Sequence, residues 1–243
     1  MKQRLDKRLL ELGLLDTRSR AQAAIAAGGV TVNGRPARSA SQSVDETAVI
    51  TAQAVHDWVG RGALKLVAAL DLWPVAVEGR AVLDVGASTG GFTEVALSRG
   101  AARVYAVDVG RAQLHASLAN DPRVVNLEGT DARTLDEALI PEPPGLIVTD
   151  LSFISLTKAL GPALALAGEG ADLIALVKPQ FEQDGPSLIG KGGIVTDPVA
   201  HKAALDRGSA WLENRDWRVR ETTESPITGG DGNREWLLWA KRT

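Results

Sequence analysis

The run Asp84-Val85-Gly86-Ala87-Ser88-Thr89-Gly90-Gly91-Phe92-Thr93 carries an apolar stretch into a helical pattern. Glycines there let a ligand approach the backbone where the N–H groups of a new helix open. A dinucleotide fingerprint needs G-x-G-x-x-G, and Gly86 is followed instead by Ala87-Ser88. Gly86-Ala87-Ser88-Thr89-Gly90 does satisfy the G-x-S-x-G nucleophile elbow of a serine hydrolase, which then needs an acid and a late histidine. His201 is that histidine, but Pro198-Val199-Ala200-His201-Lys202 reads as the first turn of a helix, whose partial positive charge disfavours an imidazolium. Gly185-Pro186-Ser187-Leu188-Ile189-Gly190-Lys191-Gly192 falls one residue short of a phosphate-binding P-loop, lacking the Ser/Thr that would hold magnesium, and Gly192-Gly193 opposes the helix that motif requires. It reads as a loop beside the site.

A third chemistry fits the first run better. S-adenosylmethionine sets its methionine part against a glycine-rich turn, and its ribose hydroxyls need an acceptor at the next strand end. Asp108, in Val107-Asp108-Val109, stands 22 residues after Gly86, near the spacing of a ribose-binding acid in a βαβ nucleotide site. Asp131, in Gly129-Thr130-Asp131-Ala132-Arg133, is placed to accept from the adenine amine, although an acid at a strand end also serves as a helix cap or turn residue. Two further runs, Val148-Thr149-Asp150-Leu151-Ser152-Phe153 and Leu176-Val177-Lys178-Pro179-Gln180-Phe181, bring Asp150 and Lys178 to the same edge. A lysine ending a buried strand needs a reason, because an unpaired buried ammonium is costly. The plain alternative is a lysine snorkelling to solvent over the strand end.

These residues need a scaffold. Apolar runs at Ala81–Val85, Arg103–Val107, Val124–Leu127, Leu146–Thr149, Asp172–Val177, Arg218–Thr223 and Glu235–Ala240 alternate with helical stretches, predicting a mostly parallel sheet covered on both faces. The last two flank Ser225-Pro226-Ile227-Thr228-Gly229-Gly230-Asp231-Gly232-Asn233, so a hairpin should add an antiparallel edge. Ligands in such sheets bind beyond the carboxyl ends of the strands.

The first 43 residues are different in kind. They hold Lys2, Arg4, Lys7, Arg8, Arg18, Arg20, Arg35 and Arg38 against Asp6, Glu11 and Asp16, a net +5, while the whole chain is −3 and the remainder therefore −8. That asymmetry suits a basic module for a polyanion joined to an acidic body, the alternative being a merely solvated basic face. Leu5, Leu9, Leu10 and Leu12 to Leu15 follow helical spacing, Asp16 or Thr17 can cap a second helix through Ile25, and Gly28-Gly29 ends it. Val30-Thr31-Val32-Asn33-Gly34-Arg35 predicts a strand closing on a tight Asn-Gly hairpin turn. Two helices and a hairpin would complete the module, and Ser43 to Val59 reads as its close and a linker. This segment, over residues 2–48, resembles an S4 RNA-binding domain through Arg4-Leu5-Asp6, Arg18-Ser19-Arg20-Ala21 and Gly29-Val30-Thr31-Val32-Asn33-Gly34.

Composition bounds the rest. At 243 residues, 44% hydrophobic and 23% charged, the chain has ordinary globular usage for one moderate domain and one small one. It has no cysteine, which excludes disulfide scaffolds, thiolate metal sites and cysteine nucleophiles, and three histidines are too few for a His-rich metal site. Met1-Lys2-Gln3-Arg4-Leu5-Asp6 is charged where a signal peptide is apolar, and Leu160 to Val177 is interrupted by Pro162, Glu169 and Asp172. A soluble cytoplasmic protein without a metal is the expectation.

Nearly end to end, the chain resembles the TlyA family of ribosomal RNA 2′-O-methyltransferases, S4-domain relatives of the FtsJ methyltransferases. The resemblance rests on Trp58-Val59-Gly60-Arg61-Gly62-Ala63-Leu64-Lys65-Leu66, Asp84 through Thr93, Asp108-Val109-Gly110, Asp150 through Leu156, Val177 through Phe181, Gly192-Gly193-Ile194-Val195, Ser225-Pro226 and Gly232-Asn233 with Glu235. It implies an α/β, Rossmann-like class I methyltransferase fold with an antiparallel last strand over residues 63–243, a linker over 56–62 and an α+β S4 domain over 1–55. It implies S-adenosylmethionine, held by Asp84, Gly86, Ala87, Ser88, Thr89, Gly90, Gly91, Phe92, Asp108, Asp131 and Asp150. It also implies a Lys-Asp-Lys-Glu catalytic tetrad, here Lys65, Asp150, Lys178 and Glu235.

Attack by a ribose hydroxyl on a sulfonium methyl requires a positioned acceptor for the proton, which the resemblance makes Lys178. An ammonium cannot accept one, so Lys178 must first lose its own, helped by burial and by positive charge such as Lys65 and the sulfonium. Asp150 and Glu235 would orient the two lysines. Ribosomal RNA or subunits are the expected partner, met by Arg4, Lys7, Arg8, Arg18, Arg20 and Arg35, with a monomer acting away from membranes. Phe153 or Phe181 could stack on a flipped nucleotide, unless they only pack the core. The chain stops soon after its last strand, which favours a cytidine of 23S over 16S RNA. Members have also carried a haemolysin name. The competing readings are a serine hydrolase using Ser88, an assembly factor that binds RNA and cofactor without catalysis, and a base methylase. The last lacks its N-P-P-Y-like loop, replaced by Asp150-Leu151-Ser152-Phe153.

Overall fold

The computed structural model describes residues 2–15, 17–53, 57–182 and 190–243, and of Lys191 the backbone alone. The chain divides into two compact units, Met1–Arg61 and Gly62–Thr243.

In the first unit, β1 (Gln3–Arg4) leads into α1 (Leu5–Glu11), followed by α2 (Arg18–Ala26), β2 (Val30–Val32), β3 (Arg35–Pro36), β4 (Ser43–Val44) and β5 (Ile50–Ala52). Thr17 caps α2 by accepting from the Arg20 N–H; Asp16, the other candidate cap, lies outside the described residues. Asn33 and Gly34 both take positive φ, at 50° and 73°, as a two-residue turn between β2 and β3 demands. Leu5, Leu9, Leu15, Ala21, Ala24, Ile25, Val30 and Val44 form the core.

Two expectations fail here. Helix one stops at Glu11 instead of running through Leu15, because Gly13 turns left-handed at φ 65°, leaving Leu12 and Leu14 exposed. The module is also more than two helices and a hairpin. Ser43–Val44 pairs with Gln3–Arg4, and Ile50–Ala52 pairs with Val30–Val32. Strands of two or three residues are too short to show a period, and their partners are distant in sequence.

The second unit opens with α3 (Ala63–Leu72), then β6 (Ala81–Val85), α4 (Gly91–Ser98), β7 (Arg103–Asp108), α5 (Ala116–Ala119), β8 (Val124–Glu128), β9 (Leu146–Thr149), α6 (Leu156–Ala159), α7 (Gly161–Leu166), β10 (Asp172–Val177), α8 (Pro198–Glu213), β11 (Trp217–Glu224) and β12 (Trp236–Arg242). The seven strands lie in the order β11-β12-β10-β9-β6-β7-β8. β6, β9 and β10 are buried along their whole length, which is why they read as near-continuous apolar runs, with Asp84, Thr149 and Asp172 the polar exceptions, and not as alternation. β12 runs antiparallel between β10 and β11, as the hairpin expected from the sequence.

Two features of this topology build a site. The chain leaves β6 toward β7 and β8, then returns to place β9 and β10 on β6's other side, so a crevice opens at that switch point. The antiparallel register sets Trp236 opposite Val177, which brings the start of β12 to the same edge as the end of β10. Asp150, Lys178 and Glu235 thus meet from three segments.

Candidate active site

Gly86, at φ 89°, ends β6, and Gly90, at φ 96°, opens α4; only glycine takes such values without strain. A side chain on Gly90 would also run into Leu118 at 2.3 Å. Beyond this turn lies a cleft of about 500 Å³ lined by Gly86, Ser88, Asp108, Asp131, Asp150 and Phe153 among others.

Five of the expected cofactor residues therefore face the cleft: Gly86, Ser88, Asp108, Asp131 and Asp150. The others support it. Ala87 and Phe92 are buried in the core, and Thr89, Gly90 and Gly91 make the turn into α4. Asp84 is wholly buried, its Oδ2 accepting from the Thr93 hydroxyl at 2.7 Å and its Oδ1 left without a partner. Burial pushes this carboxyl up to about 7, against the Thr93 hydrogen bond that lowers it.

Asp108 accepts from the Ser88 N–H at 2.8 Å and the Gly110 N–H at 2.7 Å, tying the glycine turn to the end of β7. Each oxygen keeps a second lone pair for a ligand hydroxyl. Asp131 is already engaged: both oxygens accept from Arg133, at 2.6 Å in the shortest contact, and this holds its carboxyl down at about 2. Gly110 and Thr130, from the runs that hold Asp108 and Asp131, also line the cleft, as does Gln113, which no sequence motif marked.

Next to the cleft, the Lys178 ammonium lies 2.6 Å from Asp150 Oδ1 as a close ion pair, and donates to Ser152 Oγ at 2.9 Å. Lys65, buried on α3, donates to Asp150 Oδ2 at 3.3 Å and to Glu235 at 2.5 Å. The order is Lys178–Asp150–Lys65–Glu235, two cations alternating with two anions. Burial alone would raise the Asp150 carboxyl, but Lys65 and Lys178 together outweigh it and hold it below its ordinary value. Lys178 is thus buried and paired, not snorkelling.

Three supports had no role assigned from the sequence, although Asn233 stands in one of the family motifs. Glu182 accepts from the Ser155 hydroxyl and the Leu156 N–H, both at 2.8 Å, fastening the loop after β10 to the loop after β9. Asn233 is buried, accepts from the Val195 N–H at 2.9 Å and donates to Gly193 at 3.0 Å. Gly229 leaves room for Glu235, whose Oε1 lies 2.5 Å from where a Cβ would stand. Lone polar residues in irregular loops leave no periodic signal.

The aromatic pair is unequal. Phe153 is 91% exposed with a positive φ of 66°, and its ring centroid lies 5.4 Å from that of Phe181. Core packing does not explain Phe153.

The hydrolase reading finds no catalytic pair. The Ser88 hydroxyl bonds Gln113, while His201 lies in the first turn of α8 and is held by Val195 O and the Trp236 indole. Of the P-loop-like run, residues 185–189 lie outside the described residues, as does His56 of the linker. In the first unit, Lys7, Arg18 and Arg35 are exposed, whereas Arg8 donates to Glu11 and to the Glu46 carbonyl. No helix among the described residues is long and apolar enough to cross a membrane.

Known proteins agree with this anatomy. The S4 domain family matches residues 3–50 and the FtsJ-like methyltransferase family residues 58–242. A 16S/23S rRNA (cytidine-2′-O)-methyltransferase of Mycobacterium tuberculosis is 44% identical over 98% of this chain and 89% of its own length. A 23S rRNA (cytidine-2′-O)-methyltransferase of Campylobacter jejuni is 36% identical over 75% of this chain and 70% of its own. The solved structure of a hemolysin-named protein from Streptococcus thermophilus matches 100% of this chain and 89% of that one, at a TM-score of 0.80 and 36% identity. The magnesium protoporphyrin IX methyltransferase of Synechocystis, solved with bound S-adenosylmethionine, shares the fold at a TM-score of 0.51 and 14% identity over 75% of this chain and 80% of its own. S-adenosylmethionine is the cofactor of this fold, and the glycine turn, the unpartnered Asp84 oxygen and the Asp108 carboxylate fit it. The chain belongs to the TlyA family of S4-domain, FtsJ-like methyltransferases.

Proposed function

We propose that this enzyme methylates the 2′-hydroxyl of a cytidine in 23S ribosomal RNA, acting as a monomer in the cytoplasm. The observation that carries the reading is that Asp150 lines the cofactor cleft and pairs with Lys65 and Lys178. The 23S target is the substrate common to the names of the two relatives, one of which also acts on 16S RNA.

The cofactor supplies an electrophilic methyl on a sulfonium. For this role the Lys178 ammonium first passes one proton to solvent, and the free amine then accepts the proton of the ribose hydroxyl as that oxygen attacks. Asp150 fixes Lys178 against the cleft, Glu235 and Asp150 fix Lys65, and Ser152 takes one of the Lys178 hydrogens. Holding the nucleophile in line is the larger share of the work in such a transfer. Phe153 is placed to stack on an extruded base. The basic first unit docks on RNA phosphates and sets register while the second does the chemistry.

The test incubates the purified chain and labelled S-adenosylmethionine with large and, separately, small bacterial subunits lacking the mark, then digests the RNA to nucleosides. Label in 2′-O-methylcytidine from the large subunit alone is expected. Label from both subunits would overturn the narrower target; label in neither, with cofactor bound, would make the chain a non-catalytic assembly factor.

A further inference from the structure

The basic first unit buries an acid in the middle of its charged surface. Asp6, in the first turn of α1, has 0% exposure. Arg4 grips it with two hydrogen bonds, Nε to Oδ1 at 3.0 Å and Nη2 to Oδ2 at 2.9 Å. Arg18, arriving from α2, donates its Nε to the same Oδ2 at 2.9 Å, Gln22 adds a bond to Oδ2 at 3.3 Å, and the Lys7 N–H bonds Oδ1 at 3.0 Å. The Arg4 and Arg18 side chains are 42% and 52% exposed, so they form the outer wall of a cluster whose floor is the carboxylate.

Two features of this arrangement go beyond a surface ion pair. Guanidiniums converging on one oxygen would repel each other without the anion beneath, and they still carry a net positive charge with it. Asp6 engages Arg4 through Nε and Nη2 and Arg18 through Nε, so Arg4 Nη1 and both terminal groups of Arg18 are left to point elsewhere. A planar, fixed fork of this kind matches a phosphate diester, and it meets its ligand with its rotamers already frozen.

We propose that Asp6 is a positioning residue for RNA binding, locking Arg4 and Arg18 into one rigid fork for the backbone phosphates of folded ribosomal RNA. This rests on the reading of the first unit as the rRNA-docking module. It makes a prediction opposite in sign to simple charge counting. Removing a negative charge from a basic surface should tighten binding and steepen its salt dependence. Removing this one should do the reverse, because both arginines lose their fixed geometry.

The experiment measures binding of the full chain to an unmodified transcript of 23S rRNA across a salt series, for wild type, Asp6→Asn and the double variant Arg4→Ala with Arg18→Ala, with thermal unfolding alongside. The double variant should bind more weakly, and Asp6→Asn on the order of tenfold more weakly than wild type with a shallower salt slope. Arg4→Lys keeps the charge but cannot span both Asp6 oxygens; it should weaken binding too, and it decides the matter should Asp6→Asn lower the melting point. Asp6→Asn or Arg4→Lys binding as tightly as wild type, or tighter, while the double variant loses affinity, would overturn the positioning role alone. A double variant with undiminished affinity would overturn the docking reading itself.

Discussion

The ammonium of Lys65 meets the carboxylate of Glu235 at 2.5 Å across 170 residues of sequence. One comes from the first turn of a helix that precedes the whole sheet and the other from the residue before its last strand. Their meeting is the closing contact of a chain of charges that ends on Lys178, the residue proposed above as the proton acceptor. Removing one partner of such a buried pair leaves an uncompensated charge, so these residues support the site as well as serving it.

Lys178→Ala should abolish methyl transfer, by roughly a hundredfold or more if it is the proton acceptor. Cofactor affinity, read by calorimetry, should be nearly intact, since Lys178 does not line the cleft. Loss of cofactor binding in this variant would remove Lys178 from that role.

Gly229→Ala probes Glu235 without touching it. The added methyl would stand 2.5 Å from Glu235 Oε1, and Gly229 has no positive φ to defend. The carboxylate must shift off Lys65, and a displacement of about 1 Å at a positioned group costs on the order of a hundredfold in rate. Single-turnover methylation should fall steeply and the melting point to a lesser degree, as Lys65 loses its buried partner; an unchanged rate would show that Glu235 need not sit where it does.

Phe153→Gly should separate stability from activity. The residue is 91% exposed at φ 66°, so glycine relieves about 1 kcal/mol of backbone strain and loses little buried surface. Denaturant unfolding should show a small gain, and methylation of subunits a large loss. Full activity would exclude Phe153 as the stacking residue.

Asp84 sets a pH dependence. Its carboxyl titrates at about 7 when folded and near ~3.9 in an unfolded chain, so the native state binds this proton more tightly. The stabilisation tied to the proton is complete below pH ~4 and lost as pH rises through about 7, up to about 4 kcal/mol in all. Asp84→Asn keeps an acceptor for Thr93 and cannot ionise. From pH 5 to pH 8 the wild type should therefore lose more thermal stability than the variant; parallel profiles would show that Asp84 does not carry the shift.

Deleting residues 1–55 should leave the second unit folded, since it has its own core. Methylation of whole subunits should be lost with the docking module. Undiminished activity would refute that module's role.

Much of this molecule was legible along the chain. The strands β6, β9 and β10 are buried on both faces, so each shows as a mainly apolar run with the bounds found in the structure, and the glycine turn and Asp108 follow by local rules of backbone approach and spacing. The Asn33-Gly34 hairpin needs only two left-handed residues, and its signal is equally local. The four charged residues of the site could be named from motifs, but not their partners. That Asp150 serves both lysines, and that Glu235 reaches Lys65 and not Lys178, depends on which strands are neighbours and in what register, which is settled by packing over the whole sheet. The same holds for β4 and β5, for the Glu182 and Asn233 clamps, and for Asp131, whose oxygens turned to Arg133. Local sequence determined the elements and the kinds of chemistry; the tertiary structure decided the pairings, because a buried charge takes whichever opposite charge the folded chain brings within reach.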